Sequence, residues 1–127
     1  MTNQAWTLRA GAILGALGVI AGAFGAHALA SHVSTADLAA FETAVRYQLV
    51  HAVTMCAMAA LPTTSRGMRI AATAMFAGTV IFSGSLYVLV LSGLRWFGAI
   101  TPIGGVLLVV GWIALASATP RRGAPTN

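Results

Sequence analysis

Four long apolar runs fill most of this chain, separated only by short polar connections. Each is long enough to cross a bilayer as a helix, which takes about 20 residues. In hydrocarbon the backbone must bond to itself, and continuous apolar runs of this length do so as helices. Only 7% of the 127 residues are charged and 58% are hydrophobic, whereas about a quarter of a soluble domain is charged. The expectation is an all-α protein: a four-helix transmembrane bundle forming a single integral membrane domain, 1–127. Spans are expected at about 8–28, 46–61, 68–91 and 97–118, with a loose polar tail at 120–127.

Span one carries Gly11, Gly15, Gly18, Gly22 and Gly25 at intervals of four and three. That spacing keeps them on one helix face. Glycine inside a helix costs up to about 1 kcal/mol against alanine, so a stripe of five implies a compensating close approach by another helix. Gly104 and Gly105 in span four are expected to serve the same end. Arg9 and the small residues Ala28-Leu29-Ala30 also give this segment a likeness to a cleaved signal peptide. The apolar run is longer than a usual signal core, which favours a retained span.

Ser34 or Thr35 suits the cap of the next helix, with Asp37 in its first turn. Leu38, Phe41, Val45, Leu49 and Ala52 follow helical spacing. They predict an amphipathic interfacial segment over 35–45 that leads into span two. Pro62 favours an end there, and Ser65 suits the cap of span three. In span four, Pro102 either kinks the helix or sits at its first position, with Thr101 as cap.

The outer halves of the spans hold the polar side chains. His27 closes span one. Glu42, Arg46, Tyr47, Gln48 and His51 cluster at the start of span two; Ser83, Ser85 and Tyr87 lie in span three, and Thr101 in span four. His51 lies about 7–8 Å deeper than Arg46 at 1.5 Å per residue. Ionisable groups at such depth usually face protein or water. These ten residues form the candidate polar cluster. Glu42 and Arg46 are four apart, acid first, as a helical ion pair requires. Tyr47, His51 and Thr54 share a stripe that is expected to face the bundle. His51 is expected to bond to Tyr47 or to a neighbouring span near Ser83–Tyr87 or Thr101. His27 points away from the glycines and is placed to serve the carbonyl end of span one.

Other chemistries find no motif. Three histidines and two acids lack metal-ligand spacing, so no metal or cofactor is expected, and Cys56 has no second cysteine to pair with. The net charge of +5 comes from seven arginines placed singly or in pairs at the ends of apolar runs. That is the pattern of orientation signals, not of nucleic-acid binding.

Three segments then carry a resemblance: Gly22-Ala23-Phe24-Gly25-Ala26-His27-Ala28-Leu29, Phe41-Glu42-Thr43-Ala44-Val45-Arg46-Tyr47-Gln48 with His51-Ala52, and Phe82-Ser83-Gly84-Ser85-Leu86-Tyr87. With Thr101-Pro102-Ile103-Gly104-Gly105 and Gly111-Trp112, they make the chain resemble the transmembrane protein 256 family, also called domain of unknown function 423. The resemblance implies a small four-helix protein of bacterial cytoplasmic membranes with mitochondrial relatives, and no established reaction, substrate or cofactor. Three functions stay open: a structural or accessory protein that associates with itself or another membrane protein, a carrier or conduit for protons or a small solute, and a small membrane enzyme.

Topology is directly testable. Arg9, Arg66, Arg69, Arg121 and Arg122 share one side in a four-span layout, with Arg46 and Arg95 opposite, so both termini are expected in the cytoplasm. Single cysteines at Ser34 and Ser65 should label from opposite sides of the membrane. Labelling from the same side would contradict four spans.

Overall fold

The computed structural model describes residues 3–62 and 64–118. The polar tail and Arg121 and Arg122 lie outside the described residues. Helix α1 runs over Asn3–Phe24 and widens into a π-type turn at Gly25–Leu29. Helix α2 spans Thr35–Ala60 and α3 spans Arg66–Ser92. A 3₁₀ turn at Arg95–Ala99 precedes α4, Thr101–Ser117.

The helix ends follow local chemistry. Ser34 accepts from the Asp37 N–H at 3.1 Å and Ser65 from that of Met68 at 3.2 Å, so each hydroxyl satisfies a first-turn donor. Leu61, forced extended by Pro62, closes α2. Gly93 closes α3 in the left-handed region at φ 72°, which glycine enters without penalty. Pro102 sits in the first turn of α4, so it starts that helix rather than kinking it. The expected cap at Thr101 is not formed: its hydroxyl turns instead to Ser85, 2.7 Å away.

The helices pack in chain order: α1 on α2, α2 on α3, α3 on α4, with only a light touch of α1 on α3. The arrangement is two helical hairpins joined through α2 and α3, with α1 and α4 at the edges. Among the described residues, three helical segments, Asn3–Leu29, Arg66–Ser92 and Arg95–Ser117, are long and apolar enough to cross a membrane. Helix α2 is not among them. Asp37, Glu42, Arg46, Gln48 and His51 dilute its hydropathy, though its length matches its neighbours.

Residues 35–45 are the first turns of one continuous helix, and its apolar stripe packs against α1. Along that seam Phe41 lies over Gly25, Val45 over Gly22, Leu49 over Gly18 and Ala52 over Gly15. At Gly11 a methyl group would come within 2.9 Å of both the Ala52 carbonyl oxygen and Cys56 Sγ. The α3–α4 seam repeats the device, with Leu108 over Gly78, Met75 over Gly111 and the Phe82 backbone over Gly104. Below the polar residues, Met55, Met58, Met68, Ala71, Ala72 and Met75 form a buried apolar core.

The neighbours Gly104 and Gly105 separate close approach from mere composition. A methyl group at Gly104 would collide with the Phe82 backbone, whereas at Gly105 the nearest atom is 3.8 Å away. Gly104→Ala should lower the thermal stability of the detergent-solubilised protein, with an overpacking cost of about 1–3 kcal/mol. Gly105→Ala should be neutral or stabilising, since alanine is the better helix former by about 1 kcal/mol. Equal effects at both sites would contradict the packing.

Candidate functional site

The candidate residues resolve into separate hydrogen-bonded links rather than one cluster. The central link is Gln48, 5% exposed on α2. Its Nε2 donates to the Leu14 carbonyl of α1 at 2.8 Å, and its Oε1 accepts from the Tyr87 hydroxyl of α3 at 2.7 Å. One amide thereby ties three helices. The Tyr87 ring packs on Phe41 with centroids 4.9 Å apart, which fixes the hydroxyl above Gln48.

Two further links flank it. Ser83 donates from α3 to the Ala44 carbonyl of α2 at 2.7 Å. Ser85 and Thr101 share a hydrogen bond between α3 and α4, and Ser85 also reaches the Phe82 carbonyl of its own helix at 2.9 Å.

His51 makes the fourth link. It is 4% exposed, and its Nδ1 lies 2.7 Å from the Tyr47 carbonyl oxygen. Its Nε2 lies 3.1 Å from Trp112 Nε1 of α4. A carbonyl only accepts and an indole N–H only donates, so this geometry assigns the proton to Nδ1 and leaves Nε2 an acceptor. The imidazole is neutral with both nitrogens engaged. Tyr47 offers its carbonyl to His51, while its ring, 41% exposed, stacks on Phe82 at 4.4 Å. Thr54 bonds to the Val50 carbonyl of its own helix. Tyr47, Phe82, Trp112 and His51 line an open groove of about 540 Å³ between α2 and α4.

Three candidates stand apart. The expected Glu42–Arg46 ion pair is absent among the described residues; both side chains are exposed beside Gly22 and Gly25. The pair present is Arg95–Asp37, with nitrogen–oxygen distances of 2.5 and 3.1 Å, joining the start of α2 to the α3–α4 connection. The Arg95 guanidinium holds the Asp37 carboxyl below the usual carboxylate range. His27 is exposed, and the carbonyl end of α1 is served by His32 instead, whose Nδ1 lies 2.7 Å from the Ala28 oxygen.

Sequence reasoning missed Trp112, the pairing of Arg95 with Asp37, and the backbone carbonyls of Leu14 and Ala44. A tryptophan within an apolar helix signals a need for an acceptor, but the histidine that supplies it lies 61 positions away. A backbone carbonyl carries no sequence signal at all. Among the described residues, no three His, Cys, Asp or Glu side chains converge.

Fold and site together define a small helical membrane protein whose polar side chains bond helix to helix. The family described as "Protein of unknown function (DUF423)" matches residues 21–105. A UPF0382 membrane protein of Staphylococcus aureus (strain bovine RF122 / ET3-1) is 45% identical over 112 residues, covering 84% of this chain and 92% of the relative. The UPF0382 membrane protein YwdK of Bacillus subtilis (strain 168) is 41% identical over 114 residues, covering 87% and 93%. No solved structure matches. The chain belongs to the DUF423 family of membrane proteins.

Gln48 and Tyr87 can be tested as a pair. Gln48→Leu leaves the half-buried Tyr87 hydroxyl without its acceptor, and stability should fall by about 1–3 kcal/mol. Tyr87→Phe in the Gln48→Leu background should restore part of the loss, because both partners are then apolar. Purely additive thermal shifts across the double-mutant cycle would contradict the link.

Proposed function

We propose that this chain crosses the bacterial cytoplasmic membrane four times, with both termini cytoplasmic, and acts as a structural or accessory protein that self-associates. Helix α2 would cross with the others, since it lies between α1 and α3 and runs antiparallel to both. Its polar side chains would then lie against protein, as intramembrane polar groups usually do.

One observation carries the non-catalytic reading. His51, the group best suited to move a proton, has both nitrogens committed to fixed partners. No carboxylate stands beside it; Glu42 and Asp37 take part in other surroundings at the head of α2. Beneath it, Met55 and Met75 are fully buried in an apolar layer. Self-association is supported by the open edges. Helices α1 and α4 each turn an apolar face outward, with Ile13, Ile20, Val106 and Ile113 all more than half exposed.

Two copies with different tags, co-expressed and solubilised in mild detergent, should co-purify. In proteoliposomes with an imposed pH gradient, the protein should not speed proton leak above that of empty vesicles. Recovery of one tag alone would contradict self-association. A leak that His51→Gln abolishes would favour the conduit instead.

A further inference from the structure

A cleft of about 460 Å³ opens on the flank of α3, between its first three turns and α4. Arg66 and Arg69 stand at one end, and Ile70, Thr73 and Ala77 carry the cleft along α3. Leu107 of α4 stands level with Ala77, because its neighbour Leu108 lies over Gly78. At 1.5 Å per residue, Ala77 lies about 16 Å from Arg66 along the helix. That is the depth of one leaflet, half of a hydrocarbon core about 30 Å thick.

We infer that this cleft binds one anionic phospholipid, with Arg66 and Arg69 holding the phosphate and an acyl chain lying along Ile70, Thr73 and Ala77. The charge at its mouth is unanswered from within the chain. Neither arginine side chain makes a hydrogen bond or ion pair among the described residues. The chain's two acidic side chains, Asp37 and Glu42, lie at the head of α2, the opposite end of that helix from the turn that leads to Arg66. At 1.5 Å per residue they are more than about 25 Å away.

The shape selects a lipid over a soluble anion. Helix positions three apart are neighbours, so both guanidiniums can reach one headgroup, and the guanidinium fork matches phosphate oxygens. A free phosphate would fill only the arginine end and leave the apolar length below it vacant. Basic pockets between membrane helices suit lipid headgroups for this reason. Arginines that only set orientation need no cleft, whereas both of these line one. The cleft also lies off the face offered to a second copy: Leu107 is half-buried, about 100° around α4 from the outward Val106. The inference therefore does not depend on self-association.

The test uses the full-length protein, delipidated in detergent and titrated with dioleoylphosphatidylglycerol, dioleoylphosphatidylcholine or inorganic phosphate. Native mass spectrometry should retain one phosphatidylglycerol per chain, and the melting temperature should rise with its concentration. Phosphatidylcholine has the same chains and phosphate, but its ammonium balances the charge. It should bind at least about tenfold more weakly. Inorganic phosphate should give no saturable shift at the same concentrations. Arg66→Gln with Arg69→Gln should weaken phosphatidylglycerol at least about tenfold. Ala77→Leu, at a half-buried position, keeps both charges but fills the cleft, and should also weaken it about tenfold. Equal binding of the two lipids would overturn the inference, and that comparison needs no variant to fold. Phosphate that binds as well as phosphatidylglycerol would make this a free-anion site and overturn it too. Undiminished binding by the double variant would exclude the arginines, and by Ala77→Leu would reduce the site to surface charge; either result contradicts the inference.

Discussion

The close approach of helix backbones at glycine is the contact on which the other features of this protein depend. In hydrocarbon, lipid is as apolar as a leucine side chain, so helices gain from contact only through dispersion and hydrogen bonds. Dispersion falls off steeply with separation. A glycine therefore brings the facing helix near enough for packing to count. Here α1 presents Gly11, Gly15, Gly18, Gly22 and Gly25 to α2, and each step down one helix matches a step up the other. On the other hairpin, Gly104 and Gly111 receive Phe82 and Met75 in the same antiparallel fashion. The two seams fix the register within each hairpin.

That register is what allows the polar side chains to meet. Gln48 reaches the Leu14 carbonyl because α1 lies close against α2. Ser85 meets Thr101 because α4 lies close against α3. Such interhelical bonds contribute modestly in membranes, averaging about 0.6 kcal/mol in measured cases, so they do not hold the fold alone. Their larger effect is selective: a slipped register would leave Gln48, Tyr87 and His51 unpaired in an apolar setting, which costs more than the bonds return. Packing brings the helices together, and the polar links discriminate against wrong alignments.

The sequence made the helical class, the caps at Ser34 and Ser65 and the spacing of the α1 glycines legible, because each is written within a few residues. What it hid were partners across elements. The stripe Phe41–Val45–Leu49 reads as amphipathic, but that its partner is the glycine face of α1 is not written in its own spacing. Glu42 and Arg46 satisfied the spacing of an ion pair, but spacing does not choose rotamers, and Asp37 pairs with Arg95 across 58 positions. His51 was expected to bond locally or to α3 or the Thr101 region. One bond is local, to the Tyr47 carbonyl, and the other reaches Trp112 on α4.

The α1–α2 register is most directly measured by oxidative cross-linking. A methyl group at Gly15 would lie 3.8 Å from the Ala52 methyl, the usual separation of about 3.8 Å between β-carbons of a disulfide. With Cys56 replaced by alanine, cysteines at Gly15 and Ala52 should form an intramolecular disulfide rapidly and nearly completely in native membranes. Cysteines at Gly15 and the exposed Val53 should not. A disulfide that forms as readily at Val53, or fails at Ala52, would contradict the seam on which the account rests.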